Sequence, residues 1–170
     1  MLRIYVNTWG NYNVNGADGG EWLTLPMDES ILGAELDRIA ANMGDDDPEF
    51  AIHDFEWEGD IDFTEISEYT NIHEINELVE RLDDLHEWEL HHIGAYLEAI
   101  SSDLEEALDE YESTTFYDDM TLEEVAEEIV RECYDLDEFA LRYFDFEAFA
   151  RDLSFDGYME TEFGVITWGW

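Results

Sequence analysis

The chain contains no lysine. Six arginines (Arg3, Arg38, Arg81, Arg131, Arg142 and Arg151) face 47 Asp and Glu, so 170 residues carry a net charge of −41. That shortage excludes nucleic acid as a direct partner, because binding it needs Lys and Arg to replace the counterions of the phosphates. There is one cysteine, Cys133, which excludes an internal disulfide. No apolar run approaches the length of a membrane span. The opening MLRIYVNTWG lacks the apolar core and cleavage pattern of a signal peptide. A cytoplasmic protein with no membrane partner is the expectation.

What is present argues for a folded chain. Hydrophobic residues make up 45% and aromatics 15%. Disordered acidic chains lack such residues and cannot bury enough apolar surface to offset chain entropy. A charge of −41 repels itself in a compact state. The partners it suits are basic: a cationic protein surface, or metal cations.

The acids are unevenly placed. Residues 1–44 hold six acids and two arginines, net −4; residues 45–110 hold 24 acids and Arg81, net −23; residues 111–170 hold 17 acids and three arginines, net −14. The longest acidic run is Asp45–Asp47. An acidic tail would be one contiguous block. Here Glu123, Glu124, Glu127 and Glu128 alternate with Leu122, Val125 and Ile129, as on the outer face of an amphipathic helix. A scaffold therefore holds the carboxylates at fixed spacing. Duplex DNA carries one charge per ~1.7 Å of axis, so this charge matches about 70 Å, or roughly 20 base pairs. A plain solvated acidic coat is the competing reading.

Motifs for catalysis are absent. Carboxylate pairs are so frequent that none stands out as an acid/base couple. HEWELHH departs from a zinc motif, because Leu90 occupies the place of the second histidine. Asp45–Asp47 is followed by Pro48 and lacks the glycine and terminal Glu of a calcium loop. GADGG has no lysine for a phosphate, and no serine lies in a GxSxG turn. The chain is read as no enzyme, with no catalytic residue, no metal site and no cofactor.

The fold class expected is α+β. Residues 2–9, 21–25 and 49–57 read as strands, with NYNVNGADGGE as a loop. Asp28 is the expected N-cap of a helix with Leu32, Leu36, Ile39 and Met43 on one face, closed by Gly44. The middle is helical. Asn71/Glu74, Ser102/Glu105 and Thr121/Glu124 each have capping-box spacing. Apolar stripes follow at Ile72, Ile75, Val79 and Leu82; at Leu90, Ile93, Leu97 and Ile100; at Leu104, Ala107, Leu108 and Tyr111; and at Leu122, Val125, Ile129 and Cys133. On that last stripe Cys133 is an expected core residue. The end, GYMETEFGVITWGW, reads as a hairpin about Phe163–Gly164.

The stretch LDEFALRYFDFEAFARDL, 136–153, has two aromatic stripes: Leu136, Phe139, Ala140 and Tyr143, then Phe146, Phe149, Ala150 and Leu153. Asp145 at the join is an expected cap. Arg142 and Arg151 each follow a Glu by four, as do Arg81 and Arg131. This spacing assigns them to bracing helices rather than to a cationic site. The aromatic faces need cover, from the hairpin with Trp168 and Trp170 or from a second subunit.

This stretch resembles the antirestriction motif of the ArdA family of antirestriction proteins. RIYVNTWGNYNVNG, EFAIHDFE and YTNIHEINEL agree with it in order and spacing, nearly end to end; AIHDFE and YFDFEAFARDL are the most specific parts. The NGADGGEW loop is a departure in length. The resemblance implies an elongated acidic DNA mimic of three small subdomains: N-terminal α/β at 1–61, central helical at 62–112, and C-terminal α/β with its hairpin at 113–170. It implies a homodimer formed through the C-terminal part, here Leu136, Phe139, Tyr143, Phe144, Phe146, Phe149 and Leu153. It implies, as partner, a type I restriction–modification enzyme whose specificity and modification subunits form a DNA-binding groove.

The acids expected to stand in for phosphates lie where charge is densest. From the first part and its boundary they are Asp45, Asp46, Asp47, Glu49, Asp54, Glu56, Glu58, Asp60, Asp62, Glu65 and Glu68. From the middle they are Glu74, Glu77, Glu80, Asp83, Asp84, Glu87, Glu98, Asp103, Glu105, Glu106, Asp109 and Glu110. From the last third they are Glu112, Asp118, Asp119, Glu123, Glu124, Glu127, Glu128, Glu132 and Asp135. The rival readings are a mimic aimed at another basic DNA-binding protein, a halophile's acidic protein, and a cation buffer.

Overall fold

The computed structural model describes residues 1–59, 61 and 66–168. The expected sites Asp60, Asp62 and Glu65, the packing role of Trp170 and the boundary at 61/62 fall outside the described residues. The structure mixes helices and strands in two compact units, one of residues 1–59 with 63–85, the other of 60–62 with 86–170. Of the expected central segment, the first helix thus groups with the N-terminal unit and the rest with the C-terminal one.

In the first unit β1 (Leu2–Thr8) is the middle strand of an antiparallel sheet, between β2 (Glu21–Leu25) and β3 (Phe50–Trp57). Leu2, Ile4 and Val6 alternate along β1 and are fully buried, as the period of two dictates for a face packed on a core. The helix α2 (Glu29–Met43) packs on β1 and buries Leu32, Leu36 and Ile39. The helix α3 (Ile72–Asp83) packs on β2 through Ile72, Ile75, Val79 and Leu82. Asn76, buried between them, ties α3 to the chain after β2: its Oδ1 accepts from Met27 N at 2.9 Å and its Nδ2 donates to Met27 O at 2.9 Å.

One expected loop is a helix. Residues Trp9–Asn15 form α1. Asparagine is a poor helix former because its side chain competes for backbone groups. Here those side chains support the turn instead. Thr8 caps it by accepting from Asn11 N, while Asn11 Nδ2 donates to Asn7 Oδ1 and Asn15 Nδ2 to Asn11 Oδ1, both at 2.8 Å. Gly16, at φ 71°, ends it.

The second unit has the antiparallel order β4-β6-β5, with β4 at Thr114–Asp118, β5 at Tyr158–Thr161 and β6 at Gly164–Trp168. The expected hairpin is β5–β6. Gly164 through Thr167 are buried without a break, so both faces of β6 are covered. The helix α4 (Glu87–Ala99) packs on all three strands and on α5 (Leu104–Glu110). His92, Ile93, Gly94, Ala95 and Tyr96 are buried in succession along α4, whereas of the expected stripe Ile93 alone is fully buried and Leu90, Leu97 and Ile100 are half-buried. The helices α6 (Leu122–Cys133) and α8 (Phe146–Phe155) pack on each other and on β5, around Ala126, Ala150 and Leu153.

Two local expectations need correction. The cap of α5 is Asp103, which accepts from Glu106 N at 2.9 Å, and not Ser102. A carboxylate there also suits the positive end of the helix. Cys133 is exposed. The buried face of α6 is Val125, Ala126 and Val130, so the stripe turns away from Cys133 at the last turn.

Candidate functional site

The acids sit where helix physics favours them. Glu74, Glu105, Glu106, Glu123 and Glu124 lie in first turns, beside the exposed N–H groups of the helix start. The capping box at Thr121/Glu124 forms: Thr121 Oγ1 accepts from Glu124 N, and Glu124 Oε2 accepts from Thr121 N at 2.8 Å. That backbone N–H, with the Thr121 hydroxyl, holds the Glu124 carboxyl below its usual range. Asn71 caps α3, but Glu74 accepts from its side chain rather than its backbone.

Of the acids expected to present charge, every described one is exposed except Asp45 and Glu127, which are half-buried. In the first unit these are Asp46, Asp47, Glu49, Asp54, Glu56 and Glu58 about β3, then Glu68 and the outer positions of α3. In the second they follow α4, α5 and α6, with Asp118 and Asp119 at the end of β4. By the composition of the units, the first holds 20 acids against three arginines, net −17, and the second 27 against three, net −24.

Few of these carboxylates are neutralised. Arg3 pairs with Glu56, and its guanidinium lies 4.8 Å over the ring of Trp22. Arg38 holds Glu35 at 2.8 Å and Glu21 at 2.9 Å, which lowers the Glu21 carboxyl. Arg131 meets Glu127 at 2.5 Å, as its spacing predicts. Arg142 and Arg151 do not: among the described residues neither makes an ion pair. Their expected role as braces to Glu138 and Glu147 is therefore corrected. An exposed pair contributes so little that the entropy of two long side chains cancels it.

The aromatic stretch divides into α7 (Glu138–Arg142) and α8, capped by Asp137 and Asp145. The α8 stripe is inward: Leu153 and Ala150 are buried, and Phe149 packs on Tyr134 and Phe144 edge to face. The α7 stripe is not inward. Phe139 is 73% exposed and Tyr143 71%, their rings 5.0 Å apart. Tyr134 and Phe155 are exposed as well. Periodicity reports which residues share a face and is silent on whether that face is covered.

Histidines fill structural places. His91 Nδ1 lies 2.8 Å from Asp118 Oδ1. His92 is buried, stacked 4.8 Å from Phe116, with Nε2 2.6 Å from Thr114 Oγ1. Thr114 spends its hydroxyl proton on Tyr111 O at 2.6 Å, so His92 is the donor to it. Burial pushes the His92 imidazole down to about 4. His53, the extra residue where β3 slips register between Tyr5 and Val6, stacks 4.4 Å from Tyr12. Among the described residues no group of three or more His, Cys, Asp or Glu is disposed to hold a metal ion, and no helix is long and apolar enough to cross a membrane.

Comparison with known proteins gives one family and no curated relative: no curated protein matches the chain. The family described as "Antirestriction protein (ArdA)" matches residues 4–167, from β1 to the last strand. A match over nearly the whole length, through both units and the aromatic stretch, settles the assignment: this chain belongs to the ArdA family of antirestriction proteins.

Proposed function

We propose that the chain blocks restriction by standing in for DNA in the groove of a type I restriction–modification enzyme formed by its specificity and modification subunits. The observation that carries this is the state of the acids. Among the described residues, the acids expected to stand in for phosphates are all exposed but Asp45 and Glu127, and they are held on folded units, spread in short runs and mostly without an arginine partner. Such a surface offers a basic groove the same counter-charge as a phosphate backbone. The chemistry is binding, and no group is placed for catalysis by this reading. The exposed α7 face supports a second part of it: a second copy covers Phe139 and Tyr143, joining the C-terminal units into a homodimer. The division into 1–61, 62–112 and 113–170 belongs to the same reading, with charge densest in the latter two parts.

The test is competition of the protein with duplex DNA for a purified type I methyltransferase core over a salt series. Displacement of DNA that weakens steeply as salt rises is expected, because screening weakens ion pairs along a groove. Inhibition that persists undiminished once many acids of 45–135 are changed to Asn and Gln sinks the reading. Capture of unrelated basic proteins in preference to the restriction subunits would favour a mimic with another target.

A further inference from the structure

The first unit has a cleft of about 380 Å³ beside α2, at the start of α3. That volume is within the range of pockets that hold small groups. Its floor is apolar: Leu36 and Ile72 are buried, with Phe50 beside them. Its wall is Tyr69, 77% exposed. The ring of Tyr69 stacks against Trp9 with centroids 6.0 Å apart. Tyr69 lines the cleft and Trp9, behind it, does not. The neighbouring Glu68 carboxylate pushes the Tyr69 hydroxyl above its usual pKa. Asp37, an exposed acid, is also part of the lining. Among the described residues of the lining the one basic side chain, His73, is engaged by Glu29 Oε1 at 2.5 Å from its Nδ1.

These features select an occupant. An anion meets Asp37 and a unit of net −17 with no lysine or arginine in the lining. A cation on a methylene stem suits every part: the stem lies on the floor, as long cationic side chains do on apolar surface. The cationic head meets a tyrosine ring and a carboxylate. Arginine suits this better than lysine. Its planar guanidinium stacks on aromatic rings and forks onto a carboxylate, while an ammonium is a compact, strongly hydrated point charge.

We infer that this cleft captures an arginine side chain presented by the basic surface of the protein partner. The inference rests on the proposed function for the source of that arginine, and on the cleft alone for the chemistry. It adds a specific anchor to an attraction otherwise spread over many charges.

The fold supplies its own plug for the test. Gly33 lines the cleft, and a Cβ there meets nothing within 4 Å. Gly33→Met therefore starts a side chain at an open position of the lining, and it removes a glycine from a helix interior. Backbone amide NMR would follow titration with Nα-acetyl-arginine amide, with Nα-acetyl-lysine amide and norleucine amide as controls. Saturable shifts at residues 33–37 and 69–73 are expected with the arginine probe, several-fold weaker with lysine and absent with norleucine. Gly33→Met is expected to weaken the arginine probe about tenfold, which is ~1.4 kcal/mol. The exposed substitution Asp37→Asn is expected to weaken it severalfold with the fold unchanged. The inhibition assay is then repeated with Gly33→Met, where a severalfold loss of potency is expected with a thermal midpoint no lower than that of the unaltered protein. Shifts that never saturate and spread over the acidic surface, or that survive Gly33→Met, overturn the cleft as a guanidinium site while leaving salt-sensitive inhibition standing. Probe binding with undiminished potency of Gly33→Met overturns its use on the partner. Loss of inhibition by the unaltered protein, with the probe still bound, strikes the proposed function instead.

Discussion

His92 is the residue with most at stake in the second unit. It is neutral, buried between Phe116 and Tyr111, and its imidazole is pushed down to about 4. An unfolded histidine titrates near 6.5. A folded value below the unfolded one means the stabilisation is complete above pH ~6.5 and is lost as pH falls towards 4. The expected loss at pH 5 is about 1–2 kcal/mol, read as a lower urea midpoint than at pH 7. His92→Phe keeps a ring to stack and cannot take a proton, so its midpoint should fall less over the same interval. Equal losses in both proteins would place the acid sensitivity elsewhere. Nothing in the sequence marks His92 for this role: the neighbouring His91, in the same HH pair, is tied instead to exposed Asp118. Composition identified the arginines as rare, but their partners depend on tertiary neighbours. Arg38 reaches across to Glu21, whereas the local spacing of Arg142 to Glu138 yields no pair.

Elements were legible where their own periodicity was strong. The buried stripes of α2, α3 and α5 and the β5–β6 hairpin follow directly from residue spacing. Two elements were hidden. The asparagine ladder of α1 depends on side-chain bonds that no propensity contains. The strand β4 is five residues long and gets its identity from pairing with β6, far along the chain. Removing the Thr121 hydroxyl should cost about 1 kcal/mol, as other caps do. Thr121→Ala should lower the thermal midpoint at neutral pH. The Glu124 half of the box, with its carboxyl held low, persists above pH ~4.5 and fades as acid protonates it. A midpoint unchanged by Thr121→Ala would mean α6 is held by α8 alone. At α7, exposed aromatics lead to a different expectation. Phe139→Ser with Tyr143→Ser should halve the mass in sedimentation while leaving the unfolding midpoint of each chain near its original value. A fall in midpoint with no change of mass would instead make these rings part of a single chain's packing.

For the whole molecule the charge is the dominant fact, and its effects should be cumulative. Removing one exposed carboxylate takes little from a total of −41. Replacing acids in sets, first on α3, then on α5, then on α6, should lower inhibition in graded steps. The slope of log affinity against log salt should shrink with each set. One set that abolishes inhibition alone would indicate a localised epitope and not distributed charge. Substitutions confined to outer acids that make no cap or ion pair should raise thermal stability in dilute buffer, because like-charge repulsion is relieved. The class of the fold and the electrostatic character were legible in the sequence, since both are sums over many residues. The grouping of the central helices was not, because it depends on where α3 and α4 find their sheets.

The outward turn of Cys133 has a practical consequence. The chain's only thiol stands in solvent at the end of α6, shortly before the open aromatic face of α7. A nitroxide attached there labels each chain once, with no engineered residue and no competing site. Pulsed dipolar spectroscopy on the unaltered protein then measures one distance if two copies meet, and none if they do not.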